Sequence, residues 1–100
     1  MASNGIKDRV AIVGMGCTPF GEHWDKGADD LLVDAATEAW KSAGVGPDDI
    51  DAYWLGTMGS GVSGLMLSEA LKLQYKPVTR LENMCATGSA AVRNAADAGA

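Results

Sequence analysis

The feature that most constrains this chain is its alternation between two hydrophobic periodicities. Short, β-branched apolar runs occur at residues 10–14, 52–58 and 78–83, and each is followed by a stretch whose apolar residues recur every three to four positions. The first run, Val10-Ala11-Ile12-Val13-Gly14, is apolar on both parities, as expected of a strand covered on both faces of a parallel sheet. Leu31, Leu32, Ala35, Ala36, Ala39 and Trp40 then define one apolar helical face, with Asp29 or Asp30 available to cap the helix and Gly44 placed to end it. Leu65, Met66, Leu67, Ala70, Leu71 and Leu73 repeat that spacing, Pro77 stops it, and residues 86–98 form a third helix of small side chains. The order βαβαβα predicts an α/β fold, a parallel sheet joined by right-handed crossovers with helices on its faces.

Length and composition bound this reading. One hundred residues, 47% of them hydrophobic and 21% charged, suit one globular core and argue against disorder. Three parallel strands bury only part of what an open α/β sheet normally buries, and no stop signal follows the third helix. Residues 1–100 are therefore expected to be the N-terminal part of a larger domain whose C-terminal half is absent. The net charge is −5 with Lys and Arg scattered singly, so no basic stripe exists to follow a phosphate backbone and nucleic acid is not an expected partner. A small phosphorylated ligand stays compatible, since a helix N-terminus and one or two local cations can hold it. No run approaches the roughly 20 apolar residues of a membrane span, so no membrane partner is expected. The opening MASNGIKDRV lacks the apolar core of a secretory segment. Cys17 and Cys85 show neither CxxC nor Cys/His metal spacing. They read as free thiols of a cytoplasmic, reducing compartment, with no metal site.

Several local patterns suggest chemistry and fail on inspection. Gly14-Met15-Gly16 after a strand begins like a dinucleotide-binding turn, but Pro19 replaces the third glycine and the next helix starts only near Asp29. Gly59-Ser60-Gly61-Val62-Ser63-Gly64 lacks the Gly-Lys-Ser/Thr ending of a P-loop and reads as a flexible helix entry. His23, the only histidine, sits among Glu22, Trp24 and Asp25 and reads as a solvated loop residue. Tyr53, Trp54 and Trp40 read as core, and the Asp29-Asp30 and Asp48-Asp49 pairs as capping and turn residues.

One constellation survives: Leu81-Glu82-Asn83-Met84-Cys85-Ala86-Thr87-Gly88-Ser89-Ala90-Ala91, which places Cys85 between a strand and a helix. Unpaired N–H groups and the positive dipole end of a helix stabilise a thiolate there, and a backbone N–H in such a turn can donate to the oxyanion formed during acyl transfer. The small residues that follow allow close approach. From spacing alone, Cys85 reads equally well as a buried, inert small hydrophobe.

The segment from Asn83 to Ala91 resembles the nucleophile segment of thiolases, particularly the sterol-carrier-protein-type branch and acetyl-CoA acetyltransferases. Val10-Ala11-Ile12-Val13-Gly14-Met15-Gly16-Cys17-Thr18-Pro19-Phe20-Gly21 resembles the opening strand and Thr-Pro-Phe-Gly loop of that family. The resemblance runs from about Val10 to Ala100. It implies one side of a five-stranded mixed sheet with Cys85 heading a buried helix, and a second, similar half elsewhere in the enzyme. It implies Cys85 as the catalytic nucleophile that takes an acyl group from a thioester, with its own N–H as an oxyanion donor. Acyl-CoA and coenzyme A are then substrates, and no resident cofactor is needed. The activating histidine and second acid/base of thiolases lie downstream of these residues, and Cys17 reads as a packed thiol rather than as that second cysteine. The family also implies a homodimer or homotetramer paired through residues 78–83, with an acyl-CoA-binding partner subunit as a further association. A thiolase-like condensing enzyme, a sterol side-chain lyase and a non-catalytic scaffolding subunit share the same fold.

Overall fold

The computed structural model describes residues 4–100, so Met1, Ala2 and Ser3 of the polar opening stretch lie outside the described residues. Helix α1 (Ala28–Ala43) is followed by a short 3₁₀ turn (Pro47–Asp49), strand β1 (Tyr53–Gly56), helix α2 (Leu65–Ala70) and strand β2 (Val78–Leu81). A second 3₁₀ turn (Met84–Ala86) then leads into helix α3 (Thr87–Gly99).

Strands β1 and β2 are parallel, in the register Tyr53↔Val78 to Gly56↔Leu81. The ladder continues past both ends, with Tyr53 N–H donating to Pro77 C=O at 3.0 Å and Thr57 N–H to Leu81 C=O at 3.2 Å. A parallel pair requires a crossover, which the chain between Gly56 and Val78 supplies through α2. Helix α3 packs mainly on β1 and α2 on β2, while α1 packs on α2. Leu55 of β1 and Leu67 of α2 are the buried hydrophobic side chains among the described residues, at 5% and 6% exposure. Tyr53, Trp54 and Trp40, expected in the core, are half-buried.

The local signals for α1 are largely fulfilled. Its N-cap is Gly27, two and three residues ahead of the expected aspartates. Asp30 still serves the helix start by accepting the Gly27 N–H at 2.9 Å, and Asp29 and Asp30 lie in the first turn, where the dipole favours negative charge. Gly44 closes the helix in the left-handed conformation (φ 73°), followed by a Val45 N–H to Trp40 C=O bond of 3.0 Å. Helix α2 stops short of its apolar pattern because Lys72 adopts φ 53°, which takes Leu73 off the helical path.

The expected first strand is not formed. Residues 10–14 carry no strand pairing, and the described sheet has two strands rather than three. Strand character depends on a lateral hydrogen-bonding neighbour, and β1 and β2 pair with one another instead. The segment is placed by helices: a Cβ at Gly14 would lie 2.7 Å from both Ala39 O and Ala43 Cβ of α1. Met15 N–H reaches Ser42 Oγ and Cys17 N–H reaches Glu38 Oε2, each at 3.4 Å. On its other side, Val10, Ala11 and Ile12 share an open groove of 300 Å³ with Val92, Ala95 and Ala96 of α3. Helix α3 correspondingly has no buried residue in this chain.

Candidate active site

Parallel pairing sends β1 and β2 out of the sheet at the same end. Loop 57–64 and the turn that carries Cys85 therefore meet beyond the carboxyl ends of the strands, the usual place for a site in an open α/β sheet. Cys85 lies at the centre of the Met84–Ala86 turn, two residues ahead of α3, and is an exposed free thiol.

The turn is tied by side chains as well as backbone. Ala86 N–H donates to Asn83 C=O at 2.9 Å, and the Glu82 carboxylate accepts the Met84 N–H. Thr87 Oγ1 accepts the Asn83 N–H at 2.8 Å and donates to Met84 C=O at 2.6 Å. Met84 itself has φ 49°, the left-handed region that a non-glycine residue occupies only when its surroundings impose it. Thr87 is also pressed against the sheet. A Cβ at Gly56 would lie 2.8 Å from Thr87 Cγ2 and 3.0 Å from Thr87 O, so the end of β1 must lack a side chain for α3 to begin where it does.

Arg80 fixes the neighbouring loop. Its Nη2 donates to Thr57 C=O at 2.8 Å and to Met58 C=O at 3.2 Å, and hydrogen bonds from a charged donor contribute about 1.5–3 kcal/mol each. Its Nε is buried without a hydrogen-bond partner among the described residues. Ser60 N–H to Thr57 Oγ1 (3.3 Å) and Leu65 N–H to Ser63 Oγ (3.2 Å) order the two ends of the Gly/Ser stretch.

A cleft of 510 Å³ runs along α3 from the turn that carries Cys85, lined by Asn83, Ala86, Ser89, Ala90, Arg93, Asn94 and Asp97. It takes in residues on either side of Cys85 but not Cys85 itself. Its lining is polar, including the Arg93–Asp97 pair at 3.7 Å, which does not suit an acyl chain.

The remaining sequence candidates fall elsewhere. His23 lies half-buried in the loop ahead of α1 with its Nε2 hydrogen-bonded to Pro19 C=O at 2.7 Å, and no hydrogen bond joins it to Cys85. Cys17 is exposed, which corrects the expectation of a packed thiol: the backbone at Gly14 and Gly16, not the thiol, makes the close contact with α1. No cluster of three or more His, Cys, Asp or Glu side chains able to hold a metal occurs among the described residues, nor does any helix long and apolar enough to cross a membrane. Sequence reasoning missed Arg80 and the bridging role of Thr87. A hydroxyl residue at a helix start was a readable signal for Thr87, whereas nothing local marked Arg80 as the residue that holds residues 57 and 58.

A parallel β–α–β unit with an exposed cysteine on the turn into the following helix defines a protein of the α/β class. The chain belongs to the thiolase family: the family model of the thiolase N-terminal domain matches residues 10–99. It is 38% identical over 92 residues to an acetyl-CoA acetyltransferase of Methanocaldococcus jannaschii, an alignment covering 86% of this chain and 24% of that protein. It is 37% identical over 92 residues to an acetyl-CoA acetyltransferase of Methanothermobacter thermautotrophicus, covering 85% of this chain and 24% of that protein. The chain thus spans about a quarter of the length of these relatives.

Proposed function

We propose that this chain carries the nucleophile of a thiolase-type acyl-CoA acyltransferase and that Cys85 is the acyl acceptor. Cys85 Sγ attacks the thioester carbonyl of an acyl-CoA, a new C–S bond forms, and coenzyme A leaves as the thiol after taking up a proton. The acyl group then passes to the carbanion of a second acyl-CoA or back to the thiol of coenzyme A, which frees Cys85. The Cys85 N–H serves as one donor to the oxyanion of each tetrahedral intermediate. The coenzyme A thioester is substrate, and the reaction needs no resident cofactor.

The observation that supports this reading best is the position of Cys85: an exposed free thiol on the turn after β2, inside the stretch matched by the thiolase domain. The names of the two relatives favour an acetyl group. The acid/base groups belong to other parts of the whole enzyme, as do the remaining strands of a five-stranded sheet and the homodimer or homotetramer interface. Both thiols stay reduced in a cytoplasmic setting.

The test is intact-protein mass spectrometry after incubation with acetyl-CoA. The wild-type protein gains one acetyl group that maps to Cys85, and Cys85→Ser gains none while keeping its thermal midpoint, because the replacement is nearly isosteric and much less nucleophilic. An undiminished adduct on Cys85→Ser would place the acceptor elsewhere.

A further inference from the structure

We infer that Thr87 is a positioning residue for Cys85, its hydroxyl locking the turn that presents the thiol. The inference rests on Cys85 being the acyl acceptor and concerns what fixes that acceptor in place.

Thr87 is the first residue of α3, and a hydroxyl at a helix start ordinarily serves the helix, accepting an N–H from the turn ahead of it. Here it points the other way. Oγ1 accepts from Asn83 N–H at 2.8 Å and donates to Met84 C=O at 2.6 Å, so both bonds run back across Cys85 to the two residues before it. One donor and two acceptor sites on a hydroxyl make the pair compatible. The Thr87 backbone N–H also donates to Met84 C=O, which leaves that peptide group held from two sides.

Met84 is the residue that needs holding. Its φ of 49° is costly for a side chain of its size and persists only if the surroundings over-determine it. The hydroxyl bridge does so from the helix side. The contact of Thr87 Cγ2 with the space beside Gly56 anchors the bridge to β1, and thereby to the sheet. Through this chain of contacts the sheet sets where Cys85 stands.

The experiment compares Thr87→Val, which keeps the shape and loses the hydroxyl, with Thr87→Ser, which keeps the hydroxyl and loses the methyl. Cys85→Ala runs in parallel, all in the whole enzyme with acetyl-CoA as substrate. Misplacing a reacting atom by about 1 Å costs on the order of 100-fold, so Thr87→Val is expected to lower kcat by about 10- to 100-fold with little change in KM, at a nearly unchanged thermal midpoint. Thr87→Ser is expected to recover to within about threefold of wild type. Equal losses in Thr87→Val and Thr87→Ser would overturn the inference, because the methyl and not the hydroxyl would then matter. Full activity of Thr87→Val beside an inactive Cys85→Ala would overturn it while leaving the acceptor assignment intact. If Thr87→Val does not fold, Thr87→Ala is the second hydroxyl-free variant; failure of both to fold would make Thr87 a stability residue and overturn the inference. Full activity of Cys85→Ala would instead remove the proposed function on which the inference rests.

Discussion

Gly16 and Ala35 meet backbone to backbone: a Cβ built on Gly16 would fall 2.1 Å from the Ala35 carbonyl oxygen of α1. No rotamer relieves such a contact, since the backbone fixes where a Cβ stands and its partner is a main-chain oxygen. Gly16→Ala in the intact protein is therefore expected to push residues 14–17 off α1 and to cost about 1–3 kcal/mol, the range for overpacking. Gly59, which has nothing within 4 Å of its Cβ position, supplies the control. Gly59→Ala should change stability by less than about 0.5 kcal/mol. Denaturant midpoints for the two variants decide, and equal midpoints would refute the close approach.

Both thiols are exposed, so both are expected to react with iodoacetamide in the native 100-residue chain without denaturant. Peptide mapping after brief alkylation near neutral pH checks this. A Cys17 left unmodified while Cys85 is fully labelled would mean that residues 10–18 are covered in solution.

Tyr53 is partly buried against the Pro47–Asp49 turn, with its hydroxyl 3.4 Å from Pro47 C=O. Burial, and to a lesser degree the Asp48 charge, raises its pKa above 10.0. The folded state thus keeps the phenol proton where the unfolded chain has lost it. The stabilisation is complete below pH 10.0 and declines as pH rises from there through the folded-state value. Ultraviolet titration in a Tyr75→Phe background should show a midpoint above 10.0, and Tyr53→Phe should flatten this limb of the stability curve. A midpoint at or below 10.0 would contradict the burial.

With Leu55 and Leu67 as the buried hydrophobics among the described residues, much apolar surface stays open, including Ile12 at 86%, Phe20 at 97% and Val62 at 93% exposure. Exposed apolar surface on this scale drives association. The 100-residue chain on its own is therefore expected to self-associate despite its net charge of −5, and to lack multiple turnovers of acetyl-CoA. Light scattering and a coupled assay for released coenzyme A test the two halves. A monodisperse monomer that turns over would show the site to be complete within these residues.

What the sequence determined by itself was whatever depends on neighbours along the chain. The helical spacing from Leu31 to Trp40, the stop at Gly44, and the runs that became β1 and β2 were all legible, because periodicity and backbone preference act over a few residues. The place of Cys85 was legible too: a cysteine between a strand signal and a run of small helical residues is a local pattern, and the structure sets it on the turn between β2 and α3. The tertiary structure decided everything that requires a second segment. Residues 10–14 have strand composition but no strand partner, since the hydrogen bonds of a strand are made by some other part of the chain. Cys17 is exposed because its backbone, rather than its thiol, faces α1, and Arg80 matters because loop 57–64 brings two carbonyls within its reach. The turn at Cys85 takes its shape from Thr87 against Gly56, a contact between residues 31 positions apart in the chain that no local pattern encodes.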